Sequence, residues 1–279
     1  MTGPRVVALG DSITLGVGDG VQHSRGDVGW AAHAARALGA SSFTNLAANG
    51  VRAREMLAQQ VVAAEARRPD IVLLTVGGND VLRGDFSPDE VERALGDAIA
   101  RLARPGRLLI TVSLDRIGLF DLAPGRVADA MARRIGQANA AIGRAVARSD
   151  VAVIDGATLL ASLGRRAWHI DRIHPSPQGH RALAGAAVGL AAGAWPQREA
   201  IPEPPAPPSR IAVAAWLAVN GVPWAIKRSR DLIPQVTMVV ARELREERRR
   251  AREEKAGAAV TRPGTARPGA DGRARAADA

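Results

Sequence analysis

Short apolar runs alternate with longer amphipathic stretches over residues 5–195 of the chain. The runs are rich in β-branched residues and end at glycine or at small polar residues, a pattern typical of strands buried on both faces of a parallel sheet. The run at 71–76, Ile-Val-Leu-Leu-Thr-Val, is the clearest of them. Strands are predicted at residues 5–9, 42–46, 71–76, 107–113 and 151–154.

The amphipathic stretches between these strands carry the start and stop signals of helices. Ser87-Pro88 and Ser176-Pro177 each offer a capping hydroxyl followed by proline at the first helical position. Helices are predicted at residues 30–38, 51–67, 88–102, 127–148 and 177–195. In the second of these, four residues are expected in the core, namely Val51, Met56, Val61 and Val62.

Strands that alternate with helices form right-handed βαβ units, which build a parallel sheet covered on both faces. The sequence therefore predicts an α/β fold, a flavodoxin-like three-layer α/β/α arrangement with a five-stranded parallel sheet in the order 2-1-3-4-5. A C-terminal helical segment follows it. The composition changes after residue 200, where residues 202–208 read Pro-Glu-Pro-Pro-Ala-Pro-Pro. We predict one domain over 1–200, a stiff Pro-rich linker over 201–210, the helical segment over 211–256 and a disordered tail over 257–279.

Composition and charge exclude some classes of site and partner. The chain has no cysteine, so disulfides and thiolate metal sites are excluded. The formal charge is +10, and residues 201–279 carry 15 basic and 9 acidic side chains, which is +6 of that excess. Nucleic acid is not expected as a partner, because the chain has no tyrosine and only 3 phenylalanines for base stacking.

Neither a leader nor a membrane-spanning segment is predicted. The first strand begins soon after Met1, without an apolar h-region, and no run of about 18 apolar residues occurs. A cytoplasmic protein is therefore expected, and peripheral membrane contact through 211–256 stays open. That segment combines two tryptophans, Trp216 and Trp224, with the basic run at 227–230, which suits an interfacial helix on anionic lipid. Packing onto the α/β domain and self-association are the other open interpretations.

Polar residues follow four of the five predicted strands. Ser12 follows the first strand, Asn49-Gly50 the second and Gly77-Gly78-Asn79-Asp80 the third, and the pair Asp171 and His174 lies in a loop after the fifth. The carboxyl ends of parallel strands lie along one edge of a sheet, so these residues are expected close together. A serine becomes a nucleophile when a base accepts its proton and a third group orients that base. Each motif alone is more typical of a turn or a cap, but the set predicts nucleophilic catalysis.

The ordered set of motifs resembles the SGNH subgroup of the GDSL family of esterases and lipases. The resemblance covers residues 5–195 and makes 1–200 an SGNH/GDSL-type hydrolase domain. The matching blocks are Gly10-Asp11-Ser12, Asn45 to Gly50, Gly77-Gly78-Asn79-Asp80, and Asp171-Arg172-Ile173-His174-Pro175.

The resemblance implies a role for each of these residues. Ser12 is the expected nucleophile, His174 its general base and Asp171 the group that orients the imidazole. The backbone N–H groups of Ser12 and Gly50 and the side-chain amide of Asn79 are expected to form the oxyanion hole. Neither a metal nor another cofactor is expected.

The implied activity is a serine ester hydrolase that cleaves small acyl or acetyl esters, as small-molecule substrates, through an acyl-enzyme intermediate. Two alternatives stay open, an acyltransferase that uses the same site and a catalytically idle SGNH-like binding module. The loops at 19–27 and 115–126 are expected to set the choice of substrate. Asp11 and Asp80 are expected to fix loops, His180 to pack or cap, and His169 is a less well placed alternative base.

Overall fold

The structure is a computed structural model that describes residues 3–19, 28–122 and 125–221, and six single helical positions at 238, 241, 245, 249, 252 and 253. Contacts divide the chain into two compact units, Met1–Val240 and Ala241–Ala279. Five of the six single positions belong to the second unit. The predicted tail at 257–279, and the predicted helical segment from 222 onward apart from those positions, lie outside the described residues.

A five-stranded parallel sheet forms the centre of the first unit. The order is β2-β1-β3-β4-β5, as predicted. This order reverses between β1 and β3, where doubly wound sheets open a crevice for ligands. The strands are β1 (Arg5–Gly10), β2 (Ser42–Asn45), β3 (Ile71–Thr75), β4 (Leu108–Val112) and β5 (Val151–Ile154).

Helices cover both faces of the sheet, which completes the predicted three-layer α/β/α fold. The described helices are α1 (Ser12–Leu15), α2 (Trp30–Ala37), α3 (Ala53–Gln59), α4 (Val61–Ala66), α5 (Gly78–Val81), α6 (Pro88–Leu102), α7 (Gly125–Val146), α8 (Gly156–Leu163), α9 (Pro177–Ala191) and α10 (Arg210–Trp216). Short 3₁₀ turns occur at Gly118–Leu122 and Gly164–Ala167, and a π-helical turn at Leu217–Gly221.

Alternate residues of each central strand pack into two separate hydrophobic cores. On one face, Val7 and Leu9 of β1 join apolar residues of α3, α4, α6 and α7. On the other face, Val6 and Ala8 join those of α2, α8 and α9. Burial on both faces explains why these strands are continuous apolar runs in the sequence. The two cores also fix the strand ends from which the loops of the carboxyl edge begin.

Two details of the helix prediction are wrong. The helix predicted over 51–67 is broken at Gln60 into α3 and α4. The Gln60 side chain is buried, and its amide exchanges two hydrogen bonds with the Gly10 backbone, at 2.6 and 3.0 Å. Val62 is 58% exposed on α4, where a core position is predicted. Helix α8 follows β5 in a stretch for which no element is predicted, and Asp155 caps it by accepting a bond from the Thr158 N–H at 3.1 Å.

The chain leaves the α/β domain through an extended stretch and then forms α10. Ile201 packs against the core beside α9, and the Arg181 guanidinium donates to the Pro202 carbonyl at 2.9 Å. Ser209 caps α10, which has no buried residue, and Ile211 is 83% exposed. None of the helices in the described ranges is both long and apolar enough to cross a bilayer.

Candidate active site

Ser12 lies at the carboxyl end of β1, where the strand turns sharply into α1. Gly10 has φ of +114°, and a Cβ there would lie 2.0 Å from the Thr75 carbonyl oxygen, so the turn requires glycine. Asp11 caps the helix by accepting a hydrogen bond from the Ile13 N–H at 3.0 Å. Ser12 is therefore the first residue of α1, held between a fixed strand and a capped helix, and it is 6% exposed.

The loop from Trp168 to Pro175 carries the imidazole and carboxylate of the site. An antiparallel bridge joins its two ends. Arg172 adopts φ of +56°, a left-handed conformation that is uncommon for residues other than glycine. Beyond this turn, the N–H groups of His174 and of the residue before it donate to Asp171 Oδ1, at 3.1 and 2.9 Å. The turn thereby leaves the second carboxylate oxygen free to meet a side chain.

Ser12, His174 and Asp171 lie in one hydrogen-bonded line. Ser12 Oγ is 2.9 Å from His174 Nε2, and His174 Nδ1 is 2.8 Å from Asp171 Oδ2. Burial opposes ionisation of Asp171, but hydrogen bonds from His169 and His174 outweigh it and hold the pKa of the carboxyl well below its usual range. A charged carboxylate therefore faces the imidazole at neutral pH.

Gly50 and Asn79 lie on the two neighbouring loops at the same sheet edge. The Ala48 N–H donates to the Gly10 carbonyl at 3.1 Å, which carries the loop after β2 alongside the end of β1. Asn79 follows β3 and donates from Nδ2 to the Val51 carbonyl at 3.1 Å. An amide carries two hydrogens, so this bond leaves one for a ligand. Gly50 has φ of +82°, which makes it a turn glycine.

Three buried polar residues that sequence reasoning missed hold these loops in place. One is Gln60, which binds the Gly10 backbone. Arg52 donates to Asp80 at 3.3 Å across the loops after β2 and β3. The Thr75 hydroxyl donates to Asp11 at 2.8 Å. A signal is available for Thr75, which is a polar residue within the apolar run at 71–76, but Arg52 and Gln60 each lie near other polar residues.

Asp11 and Asp80 are the inward-facing carboxylates of the sheet edge. Burial raises the pKa of Asp11 to about 6, even though the Thr75 hydroxyl and the Ile13 N–H favour its charged form. Burial also raises the pKa of Asp80, which accepts a bond from the Ala53 N–H at 3.1 Å. Both carboxylates bind backbone N–H groups, which agrees with the expectation that they fix loops.

His174, rather than His169, is the imidazole in contact with the serine. His169 Nδ1 lies 3.3 Å from Asp171 Oδ2, so the two histidines share one carboxylate oxygen. His180 is fully buried, as expected of a packing residue; it donates to the Val17 carbonyl at 3.0 Å and accepts from the Trp30 N–H at 3.2 Å.

The remaining histidines are His33 and His23. His33 is buried, with Nε2 2.6 Å from Asp19 Oδ2. His23 lies outside the described residues. In the described part of the chain, no three His, Asp or Glu side chains are grouped as metal ligands would be.

This arrangement can transfer a proton from a hydroxyl to an imidazole. A serine oxygen within 3 Å of an imidazole nitrogen is in position to lose its proton as it attacks an electrophile. The carboxylate on the opposite ring nitrogen keeps the imidazole in the tautomer that can accept that proton, and it stabilises the resulting cation. The geometry therefore suits acyl transfer.

A model of the GDSL-like lipase/acylhydrolase family matches residues 8–182, well over half of the chain. The chain belongs to this family. The match begins in β1 and ends in α9, so it spans every motif at the carboxyl edge of the sheet. As a GDSL-like protein the chain is a carboxylic ester hydrolase, and small-molecule esters are its substrates.

Solved structures of similar fold align with about two thirds of this GDSL-like chain. LAE5, an alpha/beta hydrolase enzyme from the metagenome of Lake Arreo, Spain, is 25% identical with a TM-score of 0.54, over 68% of this chain and 95% of that one. Axe2, an acetylxylan esterase from Geobacillus stearothermophilus, is 22% identical with a TM-score of 0.56, over 71% and 98%. A lipolytic protein of the G-D-S-L family from Veillonella parvula is 22% identical with a TM-score of 0.53, over 67% and 97%. No curated protein matches the chain.

Proposed function

We propose that the chain is a serine ester hydrolase that works through an acyl-enzyme, with Ser12, His174 and Asp171 as its catalytic residues. The observation that carries the proposal is the continuous contact from Ser12 Oγ to His174 at 2.9 Å and from His174 to Asp171 at 2.8 Å. Structures of the similar Axe2 include catalytic mutants in which a serine, an aspartate or a histidine is replaced by alanine. The aspartate and histidine of Axe2 are three positions apart, as are Asp171 and His174.

The first half-reaction acylates the serine. His174 Nε2 takes the proton of Ser12 as Oγ forms a bond to the ester carbonyl carbon, which becomes tetrahedral. The bond to the leaving alcohol then breaks, and His174 returns the proton to that oxygen. In the second half-reaction His174 activates water, whose oxygen attacks the acyl carbon and releases the acid and free Ser12. Asp171 stays ionised throughout and stabilises the imidazolium.

The negative oxygen of the tetrahedral intermediate is stabilised by three donors in this proposal, the N–H groups of Ser12 and Gly50 and the free amide hydrogen of Asn79. The hydrogen bond from Asn79 to the Val51 carbonyl supports it, because that bond fixes the direction of the second amide hydrogen. Fixed donors cost no reorganisation when charge develops, which is why they stabilise the transition state more than the substrate.

We infer that the acyl group is small, acetyl or a short-chain acid. The similarity to an acetylxylan esterase supports a small acyl group. Most of the loop at 19–27 lies outside the described residues, so the acyl-length profile has to come from kinetics. A series of p-nitrophenyl esters from acetate to decanoate is expected to give its highest kcat/KM at two to four carbons.

A fluorophosphonate probe, followed by intact-mass measurement, tests the nucleophile. Wild type is expected to gain one adduct and to lose ester hydrolysis in step with labelling, because the probe reacts with an activated serine. Ser12→Ala is expected to gain none, and Ser162→Ala is the matched control, since the Ser162 hydroxyl donates to the Leu159 carbonyl within α8. Absence of both labelling and hydrolysis in wild type would favour a binding module. Transfer of the acyl group to added alcohols in preference to water would favour an acyltransferase.

We also propose that the segment after the linker contacts an anionic lipid surface. Three apolar residues support this, because they are exposed around α10, namely Ile211 at 83%, Val219 at 69% and Leu217 at 45%. Residues 201–279 carry 15 basic and 9 acidic side chains, a charge that complements anionic headgroups.

Co-sedimentation with vesicles tests this contact. Wild type is expected to pellet with phosphatidylglycerol-containing vesicles and not with pure phosphatidylcholine. Ile211→Glu should weaken binding severalfold, whereas Val62→Glu, at an exposed valine of the α/β domain, should leave it unchanged. Equal binding by both variants would count against the lipid contact.

A further inference from the structure

The loop that carries His174 holds a second histidine which the proposed reaction does not use. His169 Nδ1 lies 3.3 Å from Asp171 Oδ2, the same oxygen that His174 Nδ1 contacts at 2.8 Å. The backbone N–H of His169 also donates to the backbone carbonyl of His174 at 2.9 Å, so the two histidines face each other across the loop. Asp171 therefore receives side-chain contacts from both.

The protonation of His169 follows from this geometry. Its Nδ1 is 3.3 Å from the carboxylate oxygen and 3.5 Å from the backbone nitrogen of Asp171. A bare lone pair at Nδ1 would face the negative carboxylate, and the possible bond from the backbone N–H is the longer of the two. The tautomer with hydrogen on Nδ1 is therefore favoured, and His169 acts as a donor to Asp171.

The other contact of the His169 ring comes from the C-terminal segment. Trp216, at the end of α10, packs against His169 edge to face, with ring centroids 5.2 Å apart and planes at 85°. This is a favourable arrangement for two aromatic rings. Trp216 is half-buried, while the helix it belongs to has no buried residue. Trp216 thus brings α10 into contact with the loop from Trp168 to Pro175.

Packing on the opposite side of the loop restricts where His169 can go. Gly18 has φ of +100°, and a Cβ there would lie 3.2 Å from the His174 Cβ and 3.3 Å from the His169 Cβ. The backbone at Gly18 therefore lies directly against both histidines. With Trp216 on the ring and Gly18 against the Cβ, His169 is held in the position from which it donates to Asp171.

We propose that His169 is a positioning residue for the reaction, and that Trp216 of the C-terminal segment holds it in place. The inference rests on the proposed function, since it concerns the same carboxylate. Asp171 Oδ1 is fixed by two backbone N–H groups, but Oδ2 is held only by side chains in the described structure. A second donor on Oδ2 restricts rotation of the carboxylate, so that this oxygen stays on His174 Nδ1. The segment after the linker thereby becomes part of the active site.

Replacement of His169 by two different residues tests the donor. His169→Asn keeps an N–H group near the position of Nδ1, whereas His169→Leu removes it. We expect His169→Leu to lower kcat about tenfold with KM and melting temperature unchanged, because the lost bond to a charged group acts on the transition state. His169→Asn is expected to recover most of that rate. Equal rates in wild type and His169→Leu, or equal losses in the two variants, would overturn the role as donor.

Replacement of Trp216 tests the link to the C-terminal segment. Trp216→Ala is expected to lower kcat about threefold, in line with the loss of one aromatic contact, and Trp216→Phe to retain the rate. Ala214→Ser, at an exposed position of the same helix, is the matched control and should equal wild type. Because Trp216 acts through His169, the double variant His169→Leu/Trp216→Ala should be no slower than His169→Leu alone. Multiplied losses in the double variant would overturn the link.

Ser12→Ala, measured in the same assay, separates this inference from the function on which it rests. If Ser12→Ala keeps the wild-type rate, the proposed function fails. If Ser12→Ala is inactive while His169→Leu and Trp216→Ala match wild type, the proposed function stands and only the positioning role is overturned.

Discussion

The described part of the chain holds two aspartate–histidine clusters, which use the same residue types for different purposes. At the sheet edge, His174 Nδ1 is 2.8 Å from Asp171. In the interior, His33 Nε2 is 2.6 Å from Asp19, and His180 lies close by. Contact between an imidazole and a carboxylate is therefore not what marks the active site.

The clusters differ in the partners of the ring nitrogens that do not contact the aspartate. His174 Nε2 faces the hydroxyl of Ser12, a group that can give up its proton. His180 Nε2 donates to the Val17 carbonyl and its Nδ1 accepts from the Trp30 N–H, so both ring nitrogens are bound to the backbone. The His180 ring thus joins the two ends of a loop. The second nitrogen of His33, Nδ1, is buried without a hydrogen-bond partner in the described structure, whereas the second nitrogen of His174 meets a hydroxyl.

Charge and burial follow the same division. Burial lowers the pKa of His180 to about 4, so this imidazole is neutral at pH 7. Burial alone would raise the pKa of Asp19, but contacts with His33 and other donors lower it to about 2. Asp19 also pairs with Arg181 and accepts from the Gly29 N–H at 2.7 Å. Asp19 and His180 therefore hold their protonation states across the neutral range, as structural residues should.

One substitution made in both clusters gives the largest contrast. His174→Gln is expected to lower kcat by about 10⁴-fold or more with the fold intact, because the proposed general base is lost. His180→Gln should keep kcat within a few fold and lower the melting temperature by about 3–8 °C, because one buried hydrogen bond is lost. For each variant, ester hydrolysis measures kcat, and thermal unfolding followed by circular dichroism measures the melting temperature. A comparable loss of kcat in the two variants would remove the distinction between the clusters.

Asn79→Ala is the next largest effect expected at the sheet edge. Loss of one oxyanion donor typically lowers kcat by about 10²–10³-fold. The matched control is Asn139→Ala, since Asn139 exchanges two hydrogen bonds with the Leu114 backbone, at 2.7 and 2.8 Å. That variant should lose stability and retain kcat. Retention of kcat by Asn79→Ala in steady-state hydrolysis would take Asn79 out of the oxyanion hole.

The strands of the sheet can be predicted from the sequence alone, because burial on both faces restricts the residues within each strand to apolar ones. Each central strand is a continuous apolar run, and the alternation with helices restricts the connections to a parallel order. No local pattern predicts the break at Gln60, because it depends on hydrogen bonds to Gly10, fifty residues away in the chain. A propensity acts locally, so a buried long-range bond can override it.

Motif order is likewise sufficient for the contact between Ser12 and His174, which the fold brings to one edge. The partners that hold the site are not predictable in this way. Arg52 reaches Asp80 across two loops, and the position of Trp216 depends on the direction in which the linker leaves α9. These contacts depend on loop paths, which side-chain periodicity does not encode.

Lowering the pH is expected to reduce the free energy of unfolding through His180, in the interior cluster. Because the folded-state pKa of His180 is about 4 against an ordinary 6.5, the unfolded chain binds its proton first as the pH falls. The contribution is fully present above pH 6.5 and is lost as the pH falls through 4, on the order of 3 kcal/mol in total. Urea unfolding between pH 7 and 4 should therefore show a smaller fall for His180→Gln than for wild type. If the pH profiles of unfolding free energy are parallel for wild type and His180→Gln, then the pKa of His180 is the same in the folded and the unfolded protein.

Asp11 is expected to have the smallest and most specific effect on the free energy of unfolding. Its pH dependence has the opposite sign to that of His180. Its folded-state pKa of about 6 lies above the ordinary 3.8, so its contribution to stability is fully present below 3.8 and is lost as the pH rises through 6. Both of its hydrogen bonds are accepted by Oδ1, which asparagine retains. Asp11→Asn should therefore be more stable than wild type at pH 8, on the order of 3 kcal/mol, and nearly equal to it at pH 4.

The contributions of Asp11 and His180 oppose each other between pH 4 and 6.5, so the wild-type stability profile should be shallow there. Removing the Asp11 charge should expose the full acid loss that belongs to His180, which urea unfolding of Asp11→Asn can measure. The double variant Asp11→Asn/His180→Gln is then expected to be flat again. If the pH profile of the unfolding free energy is as shallow for Asp11→Asn as for wild type, then burying the charged Asp11 carboxylate at the sheet edge does not destabilise the fold.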